Sequence, residues 1–443
     1  MKNHVLVAAA AASLLSACSA GSSPNPAIGG ANTSAVRSRA PAGIAFFHVS
    51  ILPGFGGTSG TAASINARGW IAGSANETGN ATAEAALWGD GKARDLGTLG
   101  GPSSAIAWPN LDDSGRLAGI SEKLEMNPYN EPWSCWAFFP YSSPSYHECT
   151  GFRWRDNVMH ALPTLGGPDG YAAGTNNLGQ VVGWAENMTH DSTCTNGQVL
   201  QFEPVYWDEQ NAVHQLPTLP GDPDGAATAV NDLGQIAGIS GICDQAIGRF
   251  TAAHVVIWRA HHVSKLFDVS SVSWNTPSAI NQRGDVAGFV NMPGGGDPQG
   301  QLQPIAFVWS HTSGLTNIPP LAGDAYSMAN GINDEGDVVG VSYGAGFSTA
   351  RAFLYRRGKV YDLNGLTAPG SPYLLVADAI DDRGNVVGQA LDTATGDTPA
   401  FVARPPFEDG TVVLPSNAQT AAKPPQLPLT VRERLLRRYG ATR

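Results

Sequence analysis

Charged residues are scarce in this sequence. Asp, Glu, Lys and Arg make up 14% of its 443 residues, whereas about a quarter is usual. Runs rich in Leu, Glu and Lys are also few, which argues against a helical protein. Between residues 44 and 415 only 17 Lys and Arg stand against 36 Asp and Glu. A segment that acidic repels phosphate backbones, so the composition argues against a nucleic-acid partner.

Long apolar runs are missing at the N-terminus. Val5 to Leu15 is apolar over eleven residues, which is too short to span a bilayer as a helix. Because this run follows a short basic start, it predicts a signal peptide over residues 1–18. The run ends in Leu15-Ser16-Ala17-Cys18, which resembles the bacterial lipobox.

The lipobox resemblance implies that Cys18 is lipidated and becomes the first residue of the mature chain. Ser19 follows it, as in lipoproteins sent to the outer membrane. We therefore expect a protein of the bacterial cell envelope or cell exterior that meets the membrane only through its lipid. The alternative is an ordinary secreted protein that is cleaved near Ala17. Residues 19–43 are small, polar or Pro and contain no acid, which predicts a flexible tether.

Glycine and proline are abundant, with 53 and 31 residues, and 42% of the chain is hydrophobic. This composition favours many short strands joined by tight turns. One phrase occurs seven times, about 52 residues apart on average: an apolar residue, Asn or Asp, two residues, Gly, one residue, an apolar residue, Ala or Val, and Gly. Its Asn or Asp and its first Gly are Asn66 and Gly69, Asp112 and Gly115, Asn176 and Gly179, Asn231 and Gly234, Asn281 and Gly284, Asn333 and Gly336, and Asp381 and Gly384.

Each phrase predicts a β-hairpin. The Asn or Asp side chain opens a turn by bonding to its own backbone, and the Gly supplies a positive φ. A third strand follows at runs such as Phe307-Val308-Trp309, and a fourth at stretches such as Asp95 to Gly101 or Leu162 to Gly167. Four strands in every repeat predict an all-β, seven-bladed β-propeller. An open solenoid or two sandwiches are the alternatives.

The chain ends indicate how this ring closes. His48 to Gly54 reads as an unpaired strand, whereas the seventh repeat lacks its own fourth strand. We expect the N-terminal strand to complete the seventh blade. The predicted organisation is a signal peptide (1–18), a tether (19–43), the propeller (44–415), and a linker with a basic tail (416–443).

The repeat resembles that of a known family. The stretches Ile332 to Gly340, Phe353-Leu354-Tyr355 and Asp95 to Gly101 are similar to the bacterial extracellular HAF-repeat family, over about residues 45–405. His-Ala-Phe itself does not occur, and Arg351-Ala352-Phe353 stands in an equivalent place. The resemblance implies an extracytoplasmic β-repeat protein and no catalytic residue.

Loop lengths predict which face carries function. The connections between the second and third strands vary most, with insertions from about Glu122 to Thr150 and from about Glu186 to Glu203. Variable loops on a fixed scaffold are where recognition usually lies. The first insertion is rich in aromatic residues, which predicts a ligand platform or, alternatively, a packed cap. The candidate ligand-binding residues are Tyr129, Trp133, Trp136, Phe138, Phe139, Tyr141 and Tyr146.

Four of the five cysteines lie in the loops of this face. No Cys-x-x-Cys occurs, which argues against a redox or zinc role. If Cys18 carries lipid, four cysteines remain, and the sequence allows three pairings of them. Because loops of one blade or of adjacent blades bring them together, we expect the disulfides Cys135–Cys149 and Cys194–Cys243.

Catalytic chemistry is weakly indicated. The innermost strands carry small uncharged residues, and only Asp378 places an acid there. We interpret Asp378 as a structural residue and predict no catalytic residue, no cofactor and no metal. Glu122, Glu125, Glu131 and Glu148 flank the aromatic cluster, so loop carboxylates keep open an enzyme that cleaves polysaccharide.

The C-terminal tail differs from the rest. Thr430 to Tyr439 predicts a short amphipathic helix with Thr430 as N-cap, Glu433 as its capping-box partner and Gly440 as the stop. Val431, Leu435 and Tyr439 share one face. Such a helix could dock on the acidic propeller or on anionic lipid, and a frayed tail is the alternative.

The sequence thus predicts a propeller that binds a glycan or a protein of the cell envelope through its loops. The alternatives are an enzyme that acts on polysaccharide, as a hydrolase or lyase, and a structural assembly partner.

Overall fold

The computed structural model describes residues 46–89, 91–131, 138–141, 145–194, 197–243, 253–267, 275–291, 303–406 and 423–439. The predicted signal peptide, the tether and Cys18 lie outside these residues. Within them, 28 strands form seven four-stranded antiparallel sheets. The sheets are blades, because each contacts the next around a ring: the innermost strands of blades 3 to 7 and of blade 1 contact one another in succession, and blade 2 contacts strands of blades 1 and 3. The predicted seven-bladed β-propeller is confirmed.

Blades 1 to 3 follow one another in sequence, each with its strands in the order of the chain. Their strands are β2 (Gly56–Ile65), β3 (Ile71–Glu77), β4 (Ala83–Gly89) and β5 (Lys92–Asp95); β6 (Ser104–Ala105), β7 (Leu117–Met126), β8 (His147–Arg155) and β9 (Val158–Ala161); and β10 (Gly170–Thr175), β11 (Val181–His190), β12 (Leu200–Trp207) and β13 (Val213–Gln215).

Blades 4 to 6 repeat this order, and blade 7 ends with a third strand. The strands are β14 (Asp224–Val230), β15 (Ile236–Gly241), β16 (His254–Arg259) and β17 (His262–Phe267); β18 (Thr276–Ile280), β19 (Val286–Asn291), β20 (Pro304–Ser310) and β21 (Gly314–Ile318); β22 (Tyr326–Ile332), β23 (Val338–Tyr343), β24 (Ala350–Arg356) and β25 (Lys359–Asp362); and β26 (Tyr373–Ile380), β27 (Val386–Leu391) and β28 (Ala400–Arg404).

The N-terminal strand closes the ring, as predicted. Strand β1 (His48–Ile51) pairs with β28 in antiparallel register, from His48 opposite Arg404 to Ile51 opposite Phe401. Phe47, just before it, is fully buried in the core of blades 6 and 7. The first strand therefore supplies the outer edge of the last blade and covers β28.

The recurring phrase forms the turn between the first two strands of every blade. In blade 1, Asn66 Oδ1 accepts hydrogen bonds from the backbone N–H groups of Arg68 and Trp70, and Gly69 has φ of 79°. The six equivalent glycines also have positive φ. The predicted turn chemistry is confirmed.

The same turns also link the blades to one another, which the sequence did not indicate. Asn66 Nδ2 donates to the Asp112 carbonyl of the next blade at 2.9 Å. Four further turn asparagines reach the next blade in this way, namely Asn176, Asn231, Asn281 and Asn333. These hydrogen bonds thus join the turns of neighbouring blades around the mouth of the channel.

The residue after each turn Asn or Asp takes part in a second set of hydrogen bonds between blades. The Ala67 N–H donates to Asp113 Oδ1 at 2.9 Å, and five equivalent N–H groups bond to the next side chain. Ala67 itself offers no acceptor, so this series stops between blades 7 and 1. The resulting rim is acidic, with Asp113, Asp232, Asp334 and Asp382.

The fourth strands lie earlier in the chain than the sequence analysis placed them. They end at Asp95, Ala161, Gln215, Ile318 and Asp362, so the stretches that begin there connect one blade to the next. Gly97, Gly100 and Gly166 have φ of 75°, 103° and 116°, and these angles are incompatible with a strand.

These connections anchor the third strands. Pro163 follows β9, and its carbonyl accepts from Nε1 of Trp207 in the next blade at 2.8 Å. The Pro217 carbonyl accepts from Nε1 of Trp258 in the same way, and the Pro53 carbonyl accepts from Nε1 of Trp88. The repeated tryptophan is therefore a contact between blades.

One α-helix, α1 (Leu429–Arg438), follows the propeller among the described residues. Its N-cap position is Pro428 and no side chain caps it, so the predicted Thr430 cap is wrong by two residues. No helix in the described part of the chain combines the length and the apolar character that a membrane span needs.

Candidate functional site

The candidate site lies on the loop face, which we define as the face carrying the connections between second and third strands. In blade 2, β7 and β8 run past the predicted limits of the insertion, so the connection proper is residues 127–146. We call this connection the aromatic segment. Its described parts are residues 127–131, 138–141 and 145–146.

Two of its rings are part of the protein core. Phe139 is 3% exposed. Phe138 stacks on Tyr171 of blade 3, with ring centroids 5.2 Å apart and an angle of 4° between the planes. Both pack on a buried cluster that contains Trp184 and Phe202. These rings therefore form the packed cap that the sequence analysis gave as an alternative.

Tyr141 is fixed by its hydroxyl group. Its Oη lies 2.5 Å from Glu122 Oε2 and 2.6 Å from Ser103 Oγ. Burial, together with the bond to Glu122, raises the pKa of Tyr141 above its usual value. The hydroxyl stays protonated and holds the segment to blade 2.

Tyr129 and Tyr146 lie nearer to solvent. Tyr129 is half-buried, edge-on to the ring of His190 at 5.6 Å. Tyr146 is 39% exposed and has φ of 59°. The other two candidates, Trp133 and Trp136, lie outside the described residues.

The disulfide between adjacent blades is confirmed. Cys194 and Cys243 are joined, and the bond connects the loop of blade 3 to that of blade 4. Cys149 is also in a disulfide, and its predicted partner Cys135 lies outside the described residues.

Helix α1 docks on the propeller rather than fraying. Val431, Leu435 and Tyr439, the predicted apolar face, are 1%, 2% and 3% exposed. They pack on Tyr343 and Phe347 of blade 6. The Tyr439 ring stacks on Phe347 with centroids 5.7 Å apart.

The end of the helix reaches the innermost strands around the channel. Arg438 donates to Asp378 of β26 at 2.6 Å, and Asn330 Nδ2 of β22 donates to the Tyr439 hydroxyl at 3.0 Å. Burial raises the pKa of Asp378, and the Arg438 charge partly opposes this. Asp378 is thus a partner of the tail, in accord with its structural interpretation.

A cleft of about 100 Å³ lies between α1 and the aromatic segment. Its walls combine guanidinium, amide and hydroxyl groups with an aromatic edge. Among the described residues that line it none is acidic. The side chains are Arg434, Arg437, Arg438, Asn76, Gln389, Ser59, Thr61, Ser74, Thr398, Phe138 and Phe139.

Three arginines line the cleft although the chain has a net charge of −11. Burial and the neighbouring Arg437 lower the pKa of Arg434, and burial lowers that of Arg437. The Arg434 side chain donates to Ser59 Oγ at 2.7 Å, and Arg437 donates to the Tyr141 carbonyl. These bonds hold both guanidinium groups at the wall of the cleft, whereas Arg438 is paired with Asp378.

Beneath the aromatic segment, three carboxyl groups meet in the protein interior. Glu131, Asp169 and Glu186 are all 0% exposed. One oxygen from each lies within 4.8 Å of the others. We call this group the carboxylate cluster. It comes from three places in the chain: the aromatic segment, the connection before β10, and β11.

The four glutamates proposed as catalytic candidates do not converge. Glu122 is fully buried and bonded to Tyr141, and Glu131 belongs to the carboxylate cluster. Glu148 pairs with Lys123 at 2.8 Å. Glu125 is exposed at the end of β7.

The sequence analysis missed the role of the arginines and of the cluster. Arg434 and Arg437 are three apart on one helix, a spacing that places them on the same side. The sequence shows this spacing, but it does not show which residues lie across the cleft from the two arginines. The sequence analysis does not single out Asp169, and it gives Glu186 only as the start of an insertion.

No family model matches the sequence, and no curated protein matches it. Among solved structures, the chain is similar to a virginiamycin B lyase from Staphylococcus aureus, at 10% identity and a TM-score of 0.48, over 81% of this chain and 99% of that one. It is also similar to a polysaccharide lyase of family PL25, an ulvan lyase, at 10% identity and a TM-score of 0.40, over 81% of this chain and 94% of that one. A Trypanosoma rangeli sialidase matches at 10% identity and 0.39, over 80% and 58%.

Proposed function

We propose that this protein binds an acidic glycan in the cleft between α1 and the aromatic segment. The observation that carries the proposal is the pair Arg434 and Arg437, two partly buried guanidinium groups on a wall without an acidic side chain among its described residues. An anionic ligand would form charge-assisted hydrogen bonds with these guanidinium groups.

The remaining walls favour a sugar over a simple anion. Gln389, Asn76 and the hydroxyl groups of the cleft offer donors and acceptors at several heights, and Phe138 adds an apolar edge. A carbohydrate presents hydroxyl groups to such side chains and C–H faces to aromatic rings. Arginine binds carboxylate or sulfate groups through two parallel N–H bonds.

Binding is favoured over catalysis. Glu131 is fully buried, and Glu148 is held by Lys123, so neither carboxyl group stands ready at the cleft as an acid or base. The predicted lipid anchor at Cys18 and the tether would place this cleft at the bacterial cell envelope, where acidic polysaccharides occur on surfaces. The anchor and this location remain part of the proposal.

The experiment is a binding titration of the purified protein with matched acidic and neutral polysaccharides. We expect saturable, salt-sensitive binding to the acidic series. Arg434→Gln and Arg437→Gln should each weaken it about tenfold or more, since a hydrogen bond to a charged group contributes roughly 1.5–3 kcal/mol. Arg432→Gln is the matched control, because Arg432 lies on the same helix and outside the cleft.

Two results would contradict the proposal. One is equal binding of neutral and acidic polysaccharides, and the other is binding that survives both cleft substitutions. If no glycan binds but an envelope protein does, and the binding depends on Arg434, the partner is a protein and the glycan proposal fails. A product of lower mass after incubation would indicate the enzyme alternative.

A further inference from the structure

We propose that the carboxylate cluster of Glu131, Asp169 and Glu186 is a structural calcium site. This inference is independent of the glycan proposal. It departs from the sequence-based expectation of no metal, because the three residues are far apart in the chain and only the fold brings them together.

The charge of the cluster is the first argument. Three fully buried carboxyl groups each place one oxygen within 4.8 Å of the other two. These three groups accept hydrogen bonds from neutral donors, namely backbone N–H groups and the side-chain amides of Asn127 and Gln198. Such a cluster must hold either protons or a cation.

Unpartnered oxygens are the second argument. Glu131 Oε1 accepts from the N–H groups of Val199 and Leu200 at 2.6 and 2.8 Å, but its Oε2 is buried without a hydrogen-bond partner. Gln198 is 6% exposed, its amide nitrogen donates to Glu186 Oε1 at 3.0 Å, and its Oε1 is also unpartnered. A buried acceptor without a donor is costly, and a cation held by the cluster would satisfy the free oxygen of Glu131.

The donor set selects the ion. All candidate ligand atoms are oxygens, which suit hard cations rather than zinc or copper. Glu131, Asp169, Glu186 and Gln198 come from separate loops and one strand, so their arrangement is irregular. Calcium accepts irregular oxygen coordination, whereas magnesium needs a near-octahedral shell and keeps several waters.

Part of each carboxyl group is already held in place. The Cys149 N–H donates to Asp169 Oδ1 at 2.8 Å, and Asn127 Nδ2 donates to its Oδ2 at 2.9 Å. The Asp169 N–H donates to Glu186 Oε2 at 2.9 Å. The ion would therefore fasten the aromatic segment to blade 3 at a preformed position.

A second group of acids serves as an internal control. Glu77, Glu84 and Asp95 of blade 1 also approach one another, but they are half-buried or exposed. The hydrogen bond to Asp95 is the largest cause that raises the pKa of Glu84, to about 8. Because these three residues keep contact with solvent, water can stabilise their charge without an ion.

The test measures bound calcium directly. The protein is stripped of metal by unfolding and refolding in chelator, loaded with calcium chloride, desalted, and analysed by elemental mass spectrometry. We expect one calcium per chain and a melting temperature several degrees higher than in chelator. Glu131→Gln should abolish both effects, because the new side chain keeps the acceptor for Val199 and Leu200 and removes only the charge and the free oxygen.

Glu84→Gln is the matched control and should bind calcium like the unaltered chain. The proposal is overturned if the unaltered chain retains no calcium, which would mean that protons neutralise the cluster. It is also overturned if Glu131→Gln retains one calcium per chain, which would place the ion elsewhere. If Glu131→Gln does not fold, Glu186→Gln replaces it in the same comparison. If neither variant folds, the calcium content of the unaltered chain alone decides the proposal.

Discussion

A single turn asparagine of this propeller makes two kinds of hydrogen bond, one within its own turn and one to the next blade. The side-chain oxygen of Asn231 accepts from its own turn, at Leu233 and Gln235, while its Nδ2 reaches the Asn281 carbonyl of the next blade. Aspartate can make only the bonds within its own turn, because it has no amide donor. Asp381 keeps its own turn, and its second oxygen accepts from Asn385 instead.

A buried acid pair gives the first prediction. Burial, followed by the bond to Asp191, raises the pKa of Asp224 to about 9. An unfolded Asp titrates near 3.9, so the folded state holds an extra proton between about pH 4 and pH 9. The free energy of unfolding therefore falls as pH rises through this window, with a slope of up to about 1.4 kcal/mol per pH unit from this group.

Asp224→Asn should remove that slope. The amide oxygen can still accept from the Phe202 N–H, as Oδ1 does now at 2.9 Å, and the amide nitrogen can donate to Asp191 at any pH. Urea unfolding across the pH range measures the effect. Asp156→Asn, on an exposed turn, is the control and should follow the unaltered chain. Parallel pH profiles for Asp224→Asn and the unaltered chain would refute the assignment.

Elements show how far local sequence determines this fold. The hairpin turns and the number of blades were predictable, because Asn or Asp and Gly have conformational roles that need no distant partner. The fourth strand was misplaced, because Leu96 and Leu99 look like strand residues while Gly97 and Gly100 take positive φ. The role of these residues is set by contacts with the next blade, and the sequence of a single repeat does not show such contacts.

The candidate site was less predictable than the fold. An excess of aromatic residues marked the right loop but did not tell exposed rings from buried ones. Phe138 is half-buried because Tyr171 of another blade lies under it. Arg434 gained its place beside Ser59 from docking across 375 positions of sequence. Such pairings depend on the closed ring and leave no local signal.

The docked helix gives the second prediction of this section. Leu435→Ala should lower the free energy of unfolding by about 2–5 kcal/mol, the usual cost of truncating a buried leucine. Leu429→Ala is the control on the same helix, because Leu429 is 65% exposed. Urea denaturation compares the two. Equal losses from both substitutions would show that α1 does not pack on Tyr343 and Phe347 in solution.

At the scale of the molecule, the two faces differ in charge. The hairpin-turn face carries the acidic rim of Asp113, Asp232, Asp334 and Asp382, whereas the loop face receives the basic helix α1. The middle of the chain is strongly acidic, so a basic tail is attracted to the propeller. The arginines of α1 thus lie on the loop face, where the glycan proposal places its ligand.

Closure of the ring gives the last prediction. The series of turn bonds is interrupted between blades 7 and 1 at Ala67, so this junction is held by a buried apolar cluster, by β1 and by the bonds of Thr398 to Thr58 and Gly60. A chain that begins at Pro53 lacks β1 and Phe47, which leaves the edge of β28 unpaired. Exposed strand edges pair with other chains, so we expect oligomers or aggregates and a lower melting temperature. Light scattering after gel filtration compares this chain with one that begins at Ile44. A peptide of residues 46–53 should restore the monomer by pairing with β28. A monomer with an unchanged melting temperature would mean that the seven blades close without their N-terminal strand.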